Sequence, residues 1–224
     1  MPHHIFITGG TGYMGCQLIP ALVKRGHQVT ALARKGSETK LPDAARGLVG
    51  DPLLADSYTE QIRPADTFVH LIGVAHPGPA KANQFRAIDF VSVQVAIKAA
   101  REAGIEHFIY LSVAHPAPVM KAYVEVRMEC EEMIRASGIP ATFLRPWYVL
   151  GPGHRWPYAL APFYWLCERF PATRESALQL GLVKLPQMLN ALVWAAENPA
   201  RGIRVLEISQ IRECAATFPI EAAL

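Results

Sequence analysis

Short apolar runs alternate with longer helical patterns along most of this chain, and that alternation restricts its fold more than any other feature. Strands are predicted for seven runs, which read HHIFIT, HQVTALA, GLVG, TFVHLIG, HFIYLSV, ATFLRP and IRVLEIS. Most are continuously apolar, as strands buried on both faces must be. Helices are predicted over residues 13–25, 84–103, 119–137 and 185–197. Because parallel strands need crossover helices, this order predicts an α/β fold with a doubly wound parallel sheet.

The length and composition predict one globular domain. The chain has 224 residues, of which 51% are hydrophobic and 18% are charged, which is enough for one large core. We expect a single domain over residues 1–224, with a core of residues 1–150. Residues 151–224 would form a short additional segment together with the last helix and strand.

Charge and cysteine usage exclude several classes of protein. The net charge is +3 and the basic residues form no run of five or more, so no nucleic-acid partner is expected. The four cysteines are far apart and form no C-x-x-C pair, which is typical of free thiols in a reducing compartment. No charged and then apolar leader opens the sequence, and the longest apolar stretch is far shorter than the roughly 20 residues that span a membrane. We therefore expect a cytoplasmic protein without an integral membrane segment, and the sequence leaves a homo-oligomer open.

The loop after the first strand is rich in glycine and reads TGGTGYMG. Gly10, Gly12 and Gly15 fit the pattern G-x-G-x-x-G, and Thr8 and Gly9 extend it to T-G-x-x-G-x-x-G. Such a loop lets a pyrophosphate approach the main chain closely, and the helix that follows points its N-terminus at the phosphates. Since the loop joins an apolar strand to a helical pattern, it predicts a dinucleotide site.

The end of the second strand predicts which dinucleotide is bound. An NAD site usually offers an acidic residue about 20 positions after the glycines, which binds the ribose 2′-hydroxyl. The sequence ALARKGS has no carboxylate there and offers Arg34 and Lys35 instead. These cations favour the 2′-phosphate of NADP, and NAD is the less favoured alternative.

The third and fourth strands end in further candidate cofactor residues. Asp51 could accept a hydrogen bond from the adenine amino group, cap a helix starting at Pro52, or do both. The fourth strand runs into Leu71, Ile72 and Gly73, where a glycine lets the backbone lie against the adenosine ribose.

Together these motifs resemble the short-chain dehydrogenase/reductase superfamily. The closer likeness is to its atypical or extended branch, which includes NmrA-like and NAD(P)-dependent epimerase/dehydratase-like proteins. The resemblance rests on TGGTGYMG, ARKGS, VGD, REAGIEHFIYLSV, the pair Ser112 and Tyr123, and FLRPWYVLGPG. It implies a Rossmann-type NAD(P)-binding domain, in which residues 151–224 supply the substrate side.

The resemblance implies a role for each matching position. The pyrophosphate would lie against Gly9, Thr11, Gly12, Tyr13 and Met14. The 2′-phosphate would bind Arg34, and adenine would lie near Asp51. Ser112 would bind the substrate oxygen and Tyr123 would give or take its proton. The nicotinamide amide would meet the backbone after Pro146, at Trp147 and Tyr148.

Arg127 stands where the family has lysine in Tyr-x-x-x-Lys. Arginine can supply charge and bind ribose hydroxyls, but it does not readily give up a proton. Tyr123 and Arg127 are four residues apart and therefore share a helix face, which borders the apolar stripe. A charge there needs a partner. The partner is either the NADP ribose together with Tyr123, or Glu131 in a helix ion pair.

Two further features lie outside these motifs. His76 and His115 stand in the similar loops VAHPGPA and VAHPAPV. No third ligand or metal-binding spacing accompanies them, so we expect them to line a pocket, with an accessory proton shuttle as the alternative. Residues 156–165 contain five aromatic side chains, which fit an apolar substrate pocket, a satellite core or a dimer contact, with a membrane-surface role as a minor further alternative.

Two functional hypotheses remain. The first is an NADP(H)-dependent oxidoreductase for a small apolar carbonyl or alcohol, with Tyr123, Ser112 and Arg127 as its catalytic residues. The second is an NADP-sensing regulator or accessory protein that binds the nucleotide without catalysis. Arg127 in place of lysine leaves the choice open.

Overall fold

The computed structural model describes residues 2–75, 77–117, 119–152 and 180–217, with side chains described as far as residue 214. Its centre is a seven-stranded sheet with the strand order β3-β2-β1-β4-β5-β6-β9. Every pairing in this sheet is parallel. The strands are β1 (His4–Thr8), β2 (Gln28–Ala33), β3 (Arg46–Val49), β4 (Thr67–His70), β5 (His107–Leu111), β6 (Ala141–Leu144) and β9 (Ile203–Leu206). These are the seven strands predicted from the sequence.

The described helices are α1 (Gly15–Lys24), α2 (Thr59–Ile62), α3 (Ala82–Gln84), α4 (Val91–Ala103), α5 (Lys121–Ala136), α6 (Leu185–Glu197) and α7 (Ile208–Thr217). Four of them, α1, α4, α5 and α6, lie where the sequence predicted helices. A π-helical segment, Phe85–Phe90, joins α3 to α4. Gly104 and Gly138 follow α4 and α5 with φ of 79° and 76°, the left-handed conformation that ends a helix without strain.

Apolar residues form a core on each face of the sheet. Ile5 and Ile7 of β1 belong to one core, which also contains buried residues of α1 and α6. Phe6, between them, belongs to the other core, together with buried residues of α4 and α5. Successive strand residues point to opposite faces, so strands this apolar need helices on both sides. The doubly wound α/β prediction is therefore confirmed.

The strand order places the candidate site. From β1 the chain winds outward through β2 and β3, and from β4 it winds outward in the other direction. Ligands in such sheets bind beyond the carboxyl ends of the strands at this switch point. The glycine loop follows β1 and Gly73 follows β4, so both lie at that edge.

Three features were not predicted. They are the short helix α2, the helix α7 after β9, and a small parallel sheet that pairs β7 (Tyr148–Leu150) with β8 (Leu182–Lys184). Three-residue strands are too short to give a recognisable alternation in sequence. Within the ranges described, no helix combines the length and apolar character needed to cross a membrane.

Candidate active site

The glycine loop packs directly on the chain that follows β4. Gly9 has a φ of 81°, and its carbonyl accepts the backbone N–H of Gly12 at 3.0 Å. A Cβ on Gly9 would lie 2.9 Å from the carbonyl carbon of Leu71. The backbone N–H of Leu71 also donates to the carbonyl of Thr8 at 3.0 Å. Two backbone segments predicted to bind the dinucleotide are thus held against each other.

Gly12 and Gly15 are required for different reasons. A Cβ on Gly15 would lie 2.6 Å from the Cα of Gly10, so the protein's own packing forbids a side chain there. A Cβ on Gly12 would meet only the carbonyl oxygen of Gly9, at 3.2 Å, and Gly12 itself is exposed. The space beside Gly12 is therefore a cradle that a side chain would fill. It lies before the N-terminus of α1, which attracts phosphate.

The remaining loop residues differ in what they present to this cradle. Thr11 is half-buried. The Met14 side chain is buried in the core that contains α1. Tyr13 packs on the same core, and a Cβ on Gly151 would overlap its hydroxyl oxygen. Tyr13 and Met14 could therefore bind a pyrophosphate through their backbone N–H groups rather than their side chains.

The candidate residues for the adenosine end lie at the carboxyl ends of β2 and β3. Arg34 and Lys35 are exposed immediately after β2. The carboxylate of Asp51, also exposed, accepts the backbone N–H of Leu53 at 2.9 Å. The helix expected from Pro52 is absent from this described stretch, which forms a turn and then a 3₁₀ segment, Ala55–Ser57. Asp51 therefore closes a turn, and its other oxygen can serve a ligand.

Arg127 is buried and bound to protein groups. Its Nη2 lies 2.7 Å from Oδ1 of Asp89, a residue with no exposed surface. Its Nη1 donates to the Tyr110 hydroxyl at 3.1 Å and to the Leu111 carbonyl at 2.9 Å. Glu131, the partner suggested by helix spacing, instead binds Arg145. The ion partner of Arg127 is therefore a residue that the sequence interpretation missed.

Asp89 connects Arg127 to the candidate cofactor segment. Its Oδ2 accepts the backbone N–H of Val74 at 3.0 Å. A Cβ on Gly73 would lie 3.2 Å from Oδ1 of Asp89 and would overlap Nη2 of Arg127. Gly73 is thus a glycine because the guanidinium lies against its Cα. The available signal in the sequence was an acidic residue inside the apolar helical pattern AIDFVSV.

Tyr123 lies beside Arg127, as their spacing predicts. The guanidinium carbon of Arg127 is 5.1 Å from the centre of the Tyr123 ring, within the range of a cation–π contact. On another side the ring of Phe85 lies 5.1 Å away at a tilt of 58°. Tyr123 is half-buried at the beginning of α5. The structure therefore joins Gly73, Arg127 and Tyr123 in one continuous contact.

Ser112 follows β5 and is 4% exposed. Its hydroxyl donates to Oε1 of Glu131 at 2.6 Å. In the part of the chain that the structure describes, no hydrogen bond joins Ser112 to Tyr123. The predicted pair thus lies at the same edge of the sheet without a direct hydrogen bond.

Glu131 is the centre of a buried polar cluster that sequence analysis did not identify. Arg145 contacts both of its oxygens, with Nε 2.9 Å from Oε1, and His115 Nε2 lies 3.5 Å from Oε1. Burial alone would raise the pKa of Glu131, but hydrogen bonds from His115, Arg145 and Ser112 outweigh it and hold that pKa at about 2. Glu131 is therefore a carboxylate at neutral pH.

The last predicted cofactor residues lie between β6 and β7. The carbonyl of the buried Pro146 accepts the backbone N–H of Ala114 at 3.0 Å. The rings of Trp147 and Tyr148 meet edge to face, with centres 5.5 Å apart. His76 and the aromatic residues 156–165 lie outside the described residues.

The described residues fit a dinucleotide laid across the switch point. The arrangement supplies an open glycine loop before a helix, a backbone segment at Gly73, and exposed cations after β2. Within the same ranges, no group of three or more His, Cys, Asp or Glu side chains could hold a metal ion.

Comparison with curated proteins finds reductases. The chain is 24% identical over 215 residues to the ceramide reductase of Caulobacter vibrioides, covering 93% of this chain and 65% of that protein. It is 28% identical over 167 residues to an isoflavone reductase-like protein of Olea europaea, covering 66% of this chain and 49% of that protein. The chain thus spans 65% and 49% of the length of these two relatives.

Solved structures share the fold. The enzyme WbmH of Bordetella bronchiseptica, in complex with NAD+, matches with a TM-score of 0.69 at 18% identity, covering 99% of this chain and 84% of that one. A family model described as NAD(P)H-binding matches residues 9–155, which include the glycine loop, Gly73, Tyr123 and Arg127. The chain belongs to this NAD(P)H-binding family.

Proposed function

We propose that this protein is an NADP(H)-dependent oxidoreductase that acts on a small, largely apolar carbonyl or alcohol. The observation that carries the proposal is the contact chain from Gly73 through Arg127 to Tyr123. It links a backbone segment suited to the cofactor ribose with the tyrosine suited to proton transfer. An oxidoreductase of this kind needs those two functions side by side.

The choice of NADP over NAD rests on the residues after β2. Arg34 and Lys35 are exposed there, and no carboxylate stands in the position that binds a ribose 2′-hydroxyl. A charge-assisted hydrogen bond to a 2′-phosphate contributes on the order of 1.5–3 kcal/mol. Such a contact makes the binding affinity for NADP about tenfold or more higher than that for NAD.

Each candidate residue then has a defined task. Bound NADPH supplies the hydride. Tyr123 gives its proton to the substrate oxygen, and Ser112 binds that oxygen. Arg127 supplies positive charge beside the Tyr123 ring and orients it. The backbone at Trp147 and Tyr148 contacts the nicotinamide amide.

The names of the curated relatives and the composition of residues 156–165 support the proposed substrate class. Curated relatives include the ceramide reductase and a 3-beta-hydroxysteroid dehydrogenase of Mycolicibacterium neoaurum. Those names and the apolar segment 156–165 support an apolar substrate with a carbonyl or hydroxyl group. We also propose that residues 1–224 work as one domain, in the cytoplasm, on a small molecule.

The test is NADPH oxidation with a panel of ketones, aldehydes and quinones. Tyr123→Phe should reduce turnover by roughly 10²–10⁴, the usual contribution of a general acid. NADPH affinity should stay unchanged, because the glycine loop is untouched. Tyr58→Phe is the matched control, since it removes a hydroxyl from a tyrosine that is buried in the core against Phe6, outside the candidate site. Full activity of Tyr123→Phe would contradict the proposed role.

A second candidate function is a nucleotide-binding regulator or accessory protein. The observation that favours it is the engagement of Arg127 by Asp89, Tyr110 and the Leu111 carbonyl. A guanidinium held in this way supports structure as well as chemistry. If native protein binds NADPH tightly yet oxidises it with no member of the panel, and Arg127→Lys is equally inactive, this second function takes precedence.

A further inference from the structure

A second set of proton-carrying groups lies beyond the carboxyl ends of β5 and β6. Ser112 donates its only hydroxyl hydrogen to Oε1 of Glu131 over 2.6 Å. Nε2 of His115 lies 3.5 Å from the same oxygen. One carboxylate oxygen therefore connects a serine at the candidate substrate position with an imidazole.

The contacts of Glu131 fix it as a charged acceptor. Its side chain is 2% exposed and is bound by Arg145 through both oxygens, while Nη2 of Arg135 lies 3.7 Å from Oε2. These cations keep the carboxylate ionised despite its burial. The hydrogens of Ser112 and of protonated His115 must then point toward it. The carboxylate holds both partners in a defined geometry.

The two ends of this connection differ in solvent access. Ser112 is 4% exposed, whereas the side chain of His115 is 14% exposed. A path from Ser112 to His115 thus leads from the buried edge of the sheet toward solvent. Arg127 cannot provide such a path, because a guanidinium does not give up its proton.

We propose that Ser112, Glu131 and His115 form a proton relay between the substrate oxygen and solvent, replacing the relay that Arg127 cannot provide. The relay rests on the proposed function, which makes Ser112 the residue at the substrate oxygen. Glu131 carries the proton between Ser112 and His115, and His115 is the group that exchanges protons with water.

The transfers balance in both directions. In carbonyl reduction, the hydride and the Tyr123 proton convert C=O into C–O–H. Protonated His115 then passes a proton to Glu131, which passes it to the Ser112 oxygen. Ser112 gives its own hydrogen to the substrate oxygen, whose hydrogen returns to Tyr123, and water restores the proton on His115. The observed hydrogen bond runs from Ser112 to Glu131, which is the direction in which a proton leaves an alcohol during oxidation.

The test begins with His115→Gln, which keeps a polar side chain that cannot carry a proton. Turnover of the best carbonyl of the panel should fall tenfold or more, with unchanged NADPH affinity. Added imidazole should restore turnover in proportion to its concentration and should leave native protein unaffected. His4→Gln is the matched control, because His4 begins β1 and therefore lies at the amino ends of the strands, away from the candidate site. It should keep native turnover.

Groups that act in series also give a double-variant test. Ser112→Ala and His115→Gln should each lower turnover, and the double variant should be no slower than the slower single one. The comparison of the double variant with the single variants tests the relay even if added imidazole does not enter the site. Additive losses, or native turnover in folded His115→Gln, overturn the relay.

The outcomes separate the relay from the proposed function. If Tyr123→Phe is inactive and His115→Gln is fully active, the relay fails and the oxidoreductase assignment stands. If native protein oxidises NADPH with no member of the panel, both fail together.

Discussion

Replacing Arg127 with methionine should destabilise the fold strongly, because it leaves a buried carboxylate without its partner. The side chain of Arg127 is 6% exposed and that of Asp89 is 0% exposed, with 2.7 Å between Nη2 and Oδ1. Removing one member of a buried ion pair costs about 3–5 kcal/mol. In a protein of this size each kcal/mol lowers Tm by about 2–4 °C. The expected fall in Tm is therefore roughly 6–20 °C.

A double-mutant cycle identifies the cause of that loss. Asp89→Asn keeps an oxygen that can accept the backbone N–H of Val74 and removes the charge. When it is combined with Arg127→Met, no uncompensated charge remains. The double variant should therefore show a favourable coupling of about 1–3 kcal/mol relative to the sum of the two single variants.

The control is a second arginine ion pair between the same two elements, α5 and the π-helical segment Phe85–Phe90. Arg86 lies 2.6 Å from Glu129, but its side chain is 60% exposed. Exposed pairs contribute about 0–1 kcal/mol, so Arg86→Met should change stability little. Urea unfolding followed by circular dichroism measures all variants. If Arg127→Met costs no more than Arg86→Met, the buried pair does not stabilise the fold as argued.

Arg127→Lys links this stability argument to catalysis. Lysine keeps a charge opposite Asp89, but a single ammonium cannot reproduce the guanidinium contacts with Tyr110 and the Leu111 carbonyl. A buried carbonyl left without a donor costs about 1–3 kcal/mol. We expect a less stable protein whose turnover of any carbonyl is retained or raised, because lysine can pass a proton onward.

Three further predictions concern the cofactor loop, its specificity and acid stability. Arg34→Ala should weaken NADPH binding tenfold or more and leave NADH binding nearly unchanged, and equal native affinities for the two by titration would contradict the NADP assignment. Gly12→Val should abolish dinucleotide binding while the protein stays folded. Gly15→Val should unfold the protein, because a Cβ there would lie 2.6 Å from the Gly10 Cα. Calorimetry measures the binding and circular dichroism the folding of each variant. The pKa of Glu131 falls from 4.5 to about 2 in the folded state. The stability this provides should be complete above pH 4.5 and lost as the pH falls toward 2, by about 3 kcal/mol in total, and Glu131→Gln should flatten that dependence in acid unfolding.

Local patterns in the sequence were enough to predict the layers of the fold. Strands buried on both faces must be continuously apolar and need crossover helices, so their positions could be identified from local composition. All seven predicted strands are present, and their parallel order puts the glycine loop beside Leu71 and Ile72. The glycines were recognisable because close backbone approach and positive φ exclude side chains. The three-residue strands of the small sheet, β7 and β8, lacked enough residues for such a pattern.

The pairing of the charged side chains in the site could not be predicted from the sequence. Helix spacing offered Glu131 as the partner of Arg127, and the structure gives that place to Asp89, which is 38 positions away in the numbering. Glu131 instead binds Arg145 and Ser112, from two other strand ends. Sequence spacing predicts only which residues are neighbours on one helix. A buried charge pairs with an opposite charge that can come from any element packed against it. The pairing depends on long-range packing, and local patterns do not contain it.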